Sequence, residues 1–222
     1  MVVPGRYRSP MVRRQLVEAS EQLVRQVPEF APIVAEVGPP ALGPRRRGVP
    51  ANSHFAELAR MICFQQLAGK AASTIHGRFV ALFDGDPTPE AVLAAPVESL
   101  RGAGLSGNKT ASIRDLADKV LSGEVELDRV AKLDDDELVR ELVAVRGIGR
   151  WTAEMFLMFQ LGRLDVWPVD DLGVRKGYGR LFRLPAMPTP KELQPLGEPM
   201  RPYRSVAAWY CWRVADIVDP SS

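Results

Sequence analysis

The chain of 222 residues is poor in the side chains that most metal and nucleophile chemistries need, with 2 cysteines and 2 histidines. Cys63 and Cys211 lie far apart and neither belongs to a CxxC pair. That excludes a zinc knuckle or a four-cysteine cluster supplied by this chain, and it argues against a disulfide framework. His54 and His76 are too few for a transition-metal site or a Ser/His triad. Long apolar runs are missing as well. No stretch reaches the roughly 20 apolar residues of a membrane span, and the opening MVVPGRYRSP lacks the apolar core of a secretory signal, so the expectation is a cytoplasmic protein with no membrane partner. Strong charge of one sign is also absent: the net charge is +2, and any footprint for a polyanion must be local. Chemistry is left to carboxylates, aromatics and the backbone.

What the chain does have is an ordinary apolar share, 46%, beside 25% charged residues, enough for one sizeable core or two small lobes. Apolar residues recur at three and four spacing, as in Leu58, Ile62, Phe64 and Leu67 or Ile113, Leu116, Val120 and Leu121, and two-residue alternation is not found. The expected fold class is all-α. Prolines and glycines cut the pattern into helices over 11–26, 31–37, 53–67, 71–82, 88–94, 109–121, 135–143, 151–161, 171–182 and 201–217. Asp134 followed by Glu137 predicts a capping box, which accounts for the acidic run there structurally. Residues 39–50 and most of 185–199 read as loops. The first loop carries Arg45, Arg46 and Arg47, for which DNA contact and a solvated surface both stay open.

The most informative segment is LVAVRGIGRWTA, 142–153. Leu142 and Val145 close one helix, Gly147, Ile148 and Gly149 make a turn, and Trp151 begins the next helix. Without a Cβ the glycines permit positive φ and let another backbone come close. Amides at the second helix's N-terminus can then face an anion where the helix dipole favours one. Glycine as a plain helix cap would explain Gly-x-Gly alone. The apolar flanks and the Thr-Ala start go further and reproduce a helix-hairpin-helix, which holds a DNA phosphate without reading sequence. The expected phosphate contacts are Gly147, Ile148, Gly149, Arg150 and Thr152.

Downstream, Asp170 and Asp171 follow Pro168 at the start of a helix, where Asp serves as an N-cap. Their order after a helix bearing Gln65-Gln66-Leu67 and after the hairpin points further. With FQQLAGKAA (64–72), GLSGNKTASI (104–113), VRGIGRWTA, WPVDDLGV and MRPYRSVAAWYCW (200–212), the chain resembles the helix-hairpin-helix (HhH-GPD) DNA glycosylase superfamily. Within it, the match is to the alkylated-base branch, 3-methyladenine DNA glycosylase II, in a compact form without an N-terminal sheet domain.

The resemblance implies a single glycosylase domain of two helical subdomains flanking a DNA-binding cleft: about 1–50 with 164–222, and about 51–163 holding the hairpin. It implies a monofunctional enzyme of base excision repair, monomeric and nucleoid-associated. Such an enzyme flips out and hydrolytically removes cationic bases such as 3-methyladenine and 7-methylguanine from damaged double-stranded DNA. By the resemblance the catalytic carboxylate is Asp171, with Asp170 as its capping neighbour, and the DNA wedge is Leu67. The base pocket is led by Trp151, with Met155, Phe64, Tyr203, Trp209 and Trp212 behind it. Strand-cutting relatives carry a Lys at the place of Trp151, whose amine attacks the sugar. Trp cannot form that Schiff base, so no AP lyase activity is expected. No cofactor is required and no iron-sulfur cluster is expected, while a structural Na+ or K+ on the carbonyls of Val143, Val145 and Ile148 is implied.

The proposed chemistry suits the composition. Alkylation at N3 or N7 gives a purine a positive charge and weakens its bond to the sugar, so little acid assistance is needed. An ionised Asp171 can stabilise the cationic sugar or orient the attacking water, and the residues leave both roles open. A cationic base is drawn to aromatic faces. Leu67 also fits as the last core residue of its helix. Three other readings stand beside this one: a noncatalytic damage-binding module, a glycosylase for another lesion, and a helical protein-interaction module, which leaves the hairpin unexplained.

Overall fold

A computed structural model describes residues 10–43 and 51–216, with side chains throughout except at 51–53. The basic loop Arg45, Arg46 and Arg47 lies outside the described residues. The helices in chain order are α1 (Pro10–Gln26), α2 (Ala31–Val37), α3 (Ala51–Phe64), α4 (Gly69–Ala81), α5 (Pro89–Ala94) and α6 (Val97–Gly102). They continue as α7 (Gly107–Ser122), α8 (Asp135–Val143), α9 (Arg150–Phe156), α10 (Leu172–Leu181), α11 (Pro190–Leu196) and α12 (Arg204–Asp216). A π turn, Leu157–Leu161, prolongs α9. No strand occurs among the described residues, and the fold is all-α.

The chain divides into two compact units, Gly48–Phe156 and the pair of terminal segments Met1–Arg47 and Leu157–Ser222. The C-terminal division falls at 156/157, not at the expected 163/164. The sequence pattern places it late because the break in helical signal is Gly162, with φ +75. The π turn before that glycine already belongs to the terminal unit: the Gly43 amide donates to the Met158 carbonyl at 2.8 Å, and Gly43 packs against Gly162.

In the central unit α7 packs against α3, α5 and α6, with Ile113, Leu116 and Ala117 fully buried. Its ends are set locally. Ser106 accepts the Lys109 amide at the N-terminus, and Gly123 in the left-handed conformation ends the helix. Arg114 reaches from α7 to the carbonyls of Val92, Leu93 and Ala95, satisfying the otherwise unpaired end of α5. The capping box of Asp134 and Glu137 begins α8 as expected.

In the terminal unit α10 crosses α12 at very short range. A Cβ on Gly177 would lie 1.8 Å from the carbonyl oxygen of Cys211, so only glycine fits there. Around this crossing Phe30, Val174, Val206, Tyr210 and Cys211 are buried. The Tyr210 hydroxyl donates to Ser20 Oγ at 2.8 Å and lies 3.0 Å from the Gly38 carbonyl, while burial pushes its pKa up to about 12.

Several boundaries differ from the sequence reading. Helix α3 stops at Phe64, not at Leu67, because Gln66 turns to φ +54. Residues 185–199 are not mostly loop: Thr189 and Glu192 form a capping box that starts α11 despite the surrounding prolines. Helix α12 begins at Arg204, not Arg201, because Arg201 ends the short turn Glu198–Met200 in an extended conformation; Asp165 pairs with both arginines. Helix α6, flanked by Pro96 and Gly104, is too short to show a period.

Gly177→Ala is expected to destabilise the terminal unit by about 3 kcal/mol, near the upper range for overpacking against backbone. Thermal denaturation should show a fall in Tm of about 6–12 °C. An unchanged Tm would mean that the two helices can separate without cost.

Candidate functional site

The hairpin forms where α8 ends and α9 begins. Leu142, Val145 and Ile148 are buried, so the connection is anchored by its apolar residues while the turn faces outward. The Ile148 amide donates to the Val145 carbonyl at 3.1 Å, and the Arg146 amide donates to Asp115 Oδ2 at 2.7 Å. The two glycines do different things. Gly147 has φ +76, and a Cβ on it would lie 2.5 Å from Ser112 Oγ, so both backbone and packing demand glycine. Gly149 has no positive φ, and a Cβ there meets nothing within 4 Å. Gly149 also lies in the connection between the helices, where its missing side chain leaves open space at the start of α9. The amides of the first turn of α9, Thr152 among them, have no preceding turn to bond to. The Thr152 side chain is buried, which leaves its amide as the group that could meet an anion. The Arg150 guanidinium is held along its own helix by Glu154 at 2.9 Å.

The turn after α3 is tied to this hairpin. Gln65 Nε2 donates to the Gly147 carbonyl at 2.9 Å. From α7, Lys109 Nζ donates to the carbonyls of Cys63 at 2.7 Å and Gln65 at 2.8 Å, closing the end of α3 with a positive charge. Burial lowers the Lys109 pKa and raises that of the Cys63 thiol to about 11. Leu67, at the tip of the turn, is 40% exposed, so it is not the core residue its spacing also allowed. Both Gln65 and Lys109 stand in motifs visible in the sequence, but nothing in residue type or spacing signals that they join the two turns.

The aromatic candidates separate by burial. Trp151, second residue of α9, is 47% exposed, whereas Met155 on the same helix is buried. Phe64 is half-buried, with the Arg60 guanidinium 5.0 Å from its ring centre and His76 against its edge. Burial lowers the pKa of His76 and of His54, which favours neutral imidazoles.

In the terminal unit Asp171 is the N-cap of α10. Its Oδ1 accepts the Val174 amide at 2.8 Å and, at the same distance, the indole N–H of Trp212 from α12. The capping role expected of Asp170 thus belongs to Asp171 itself; Asp170 is exposed in the turn before it. Trp212 stacks on Phe159 with ring centres 5.7 Å apart. Trp209 packs instead on Tyr210 and under the Arg213 guanidinium, and Tyr203 lies half-buried in the turn before α12. Phe159 and Gly173, against which Trp212 fits, had no signal in the sequence. No cluster of His, Cys, Asp and Glu among the described residues is arranged to hold a metal ion.

Comparison with known proteins places these features in context. The profile of the HhH-GPD superfamily of base excision DNA repair proteins matches residues 59–202. DNA-3-methyladenine glycosylase 1 of Schizosaccharomyces pombe is 38% identical over 176 residues, covering 78% of this chain and 77% of that protein. The solved structure of that yeast's 3-methyladenine DNA glycosylase (Mag1) in complex with abasic DNA superposes with a TM-score of 0.75 at 36% identity, covering 88% of this chain and 95% of that one. A DNA-3-methyladenine glycosidase from Bacillus halodurans gives a TM-score of 0.80 at 34% identity, with 90% and 89% covered.

The two hairpin glycines should separate in stability. Gly147→Ala is expected to cost about 1–2 kcal/mol through its left-handed φ. Gly149→Ala should unfold at the wild-type urea midpoint. Equal destabilisation by both would contradict the division of roles.

Proposed function

Because the chain belongs to the HhH-GPD superfamily of base excision DNA repair proteins, we propose that it is a monofunctional DNA glycosylase that hydrolyses alkylated, cationic bases such as 3-methyladenine and 7-methylguanine from double-stranded DNA. The observation that carries this reading is the likeness, over most of both chains, to a 3-methyladenine glycosylase bound to abasic DNA, the product that base removal leaves.

In this reading the hairpin holds a backbone phosphate on the amides of Gly149, Arg150 and Thr152, and the open space at Gly149 lets the strand come close. Leu67 fills the gap left by the rotated nucleotide, since an apolar side chain stacks between bases without needing a partner. The hydrogen bond from Gln65 to Gly147 keeps that wedge in register with the phosphate grip. Exposed Trp151 offers an aromatic face to a cationic purine.

The reaction breaks the bond between the base nitrogen and the sugar. The bonding electrons leave with the base and neutralise its charge, water adds to the sugar carbon, and the water's proton is lost. An ionised Asp171 favours this by stabilising the positive charge that develops on the sugar or by orienting the water. No amine stands at position 151 to attack the sugar, so the strand is left uncut.

The carbonyls of Val143, Val145 and Ile148 are the hard oxygen donors that Na+ or K+ takes. Val145 already accepts the Ile148 amide, yet each carbonyl has a second lone pair, so their donor chemistry suits such an ion. Bound there, it would add positive charge beside the phosphate. We further propose action as a monomer in the cytoplasm; no helix among the described residues is long and apolar enough to cross a membrane.

The test is to incubate the pure protein with methylated DNA and identify the bases released. Wild type should release 3-methyladenine and 7-methylguanine, whereas Asp171→Asn should release them about 100-fold more slowly or worse while still binding DNA. Unimpaired release by that variant would remove Asp171 from the chemistry, and no release by wild type would refute the activity. Gly149→Ala should weaken DNA binding by about tenfold, roughly 1.4 kcal/mol, and affinity should fall steeply with salt as counterions are released. Unchanged affinity would remove the hairpin from DNA binding.

A further inference from the structure

We infer that Trp212 is a positioning residue for Asp171: its indole N–H fixes one carboxylate oxygen, and Gly173 is the residue that allows it to do so. The inference rests on the reading of Asp171 as the catalytic carboxylate, and it moves Trp212 from the wall of a base pocket to the support of the reacting group.

The geometry has three parts. First, Oδ1 of Asp171 receives two donors, the Val174 amide and Trp212 Nε1, each at 2.8 Å. An sp2 oxygen has two lone pairs, so these two donors saturate Oδ1. A helix cap alone leaves a carboxylate able to swing about its Cβ; a second donor from another helix removes that freedom. Second, the indole is itself fixed, stacked on Phe159 at an interplanar angle of 23°. Third, the space for this arrangement is made by missing side chains on α10. A Cβ on Gly173 would lie 2.7 Å from Trp212 Cδ1, 3.2 Å from its Nε1 and 3.1 Å from Asp171 Oδ1. Gly177, one turn on, lets the α12 backbone approach at Cys211, the residue before Trp212. The two glycines thus lie on one face of α10 and admit α12 close enough for the indole to reach the cap.

This arrangement has a consequence that pocket lining would not have. A group that orients the carboxylate changes the rate of bond cleavage with bound substrate, not the affinity for the base. A ring that stacks on the base changes affinity and the preference for cationic over neutral bases.

The test compares Trp212→Phe, Gly173→Ala and the double variant on a duplex carrying one 7-methylguanine, under single turnover. Trp212→Phe keeps a ring against Phe159 and removes the N–H. It should lower the cleavage rate of bound substrate by about 10–100-fold with the half-saturating enzyme concentration unchanged. Gly173→Ala, which displaces the indole, should give a similar loss, and the double variant should be little worse than either single one, since both remove the same bond. Melting curves show whether each variant is folded; if Gly173→Ala is not, Trp212→Phe decides alone. A normal rate in Trp212→Phe, or a loss confined to affinity and base preference, overturns the inference. Asp171→Asn run beside these separates the two claims. If it is inactive while Trp212→Phe is normal, the catalytic reading stands and the positioning role falls; if it is active, the catalytic reading itself falls.

Discussion

The chemistry assigned to the terminal unit depends on how closely two helix backbones can approach. Helix α12 can bring an indole to the cap of α10 only because α10 presents hydrogen where other residues present a Cβ, at Gly173 and at Gly177. From that contact follow the double hydrogen bond on Asp171 Oδ1, the stacking of Trp212 on Phe159 and the burial of Cys211, whose thiol burial drives well above its ordinary pKa. An N-cap is worth about 1 kcal/mol to a helix. Here the capping oxygen also accepts an indole N–H, so a helix cap and the carboxylate we propose for catalysis are one residue.

The central unit shows a comparable sharing of roles. The hairpin turn and the turn after α3 are far apart in sequence, yet the Gln65 amide and the Lys109 ammonium fasten them to each other and to α7. Lys109 closes the end of α3 by donating to carbonyls that the helix cannot satisfy itself. The exposed Leu67 is therefore carried on a turn held from two directions, as its proposed entry into a base stack would require.

Features written into one short segment were legible in the sequence. The all-α class, the capping box at Asp134, the hairpin and the placement of Asp171 at a helix start all follow from local spacing or residue type. Features that depend on tertiary contact were not. Nothing local distinguishes Asp170 from Asp171 as the cap; the choice is made when Val174 and Trp212 both donate to the second of them. Gly147 and Gly149 look alike in Gly-x-Gly, but only the first meets Ser112. Trp209 and Trp212 look alike as aromatics of one helix, yet one turns to Arg213 and the other to Asp171. Helix α11 was hidden by its prolines: Pro190 sits in the first turn, which tolerates it, whereas Pro195 lies inside the helix near its end.

The claim that unites these observations is that a carboxylate, and no amine, removes a cationic base. The most direct measurement uses a duplex with a single 7-methylguanine, incubated with the protein in the presence of borohydride, with free base, strand length and covalent adduct all scored. The account predicts stoichiometric free 7-methylguanine, an uncut strand bearing an abasic site, and no trapped protein. A borohydride-trapped adduct would contradict it, because trapping requires an imine formed by an amine attack that Trp151 cannot make, and so would strand cutting above that of abasic DNA without the protein.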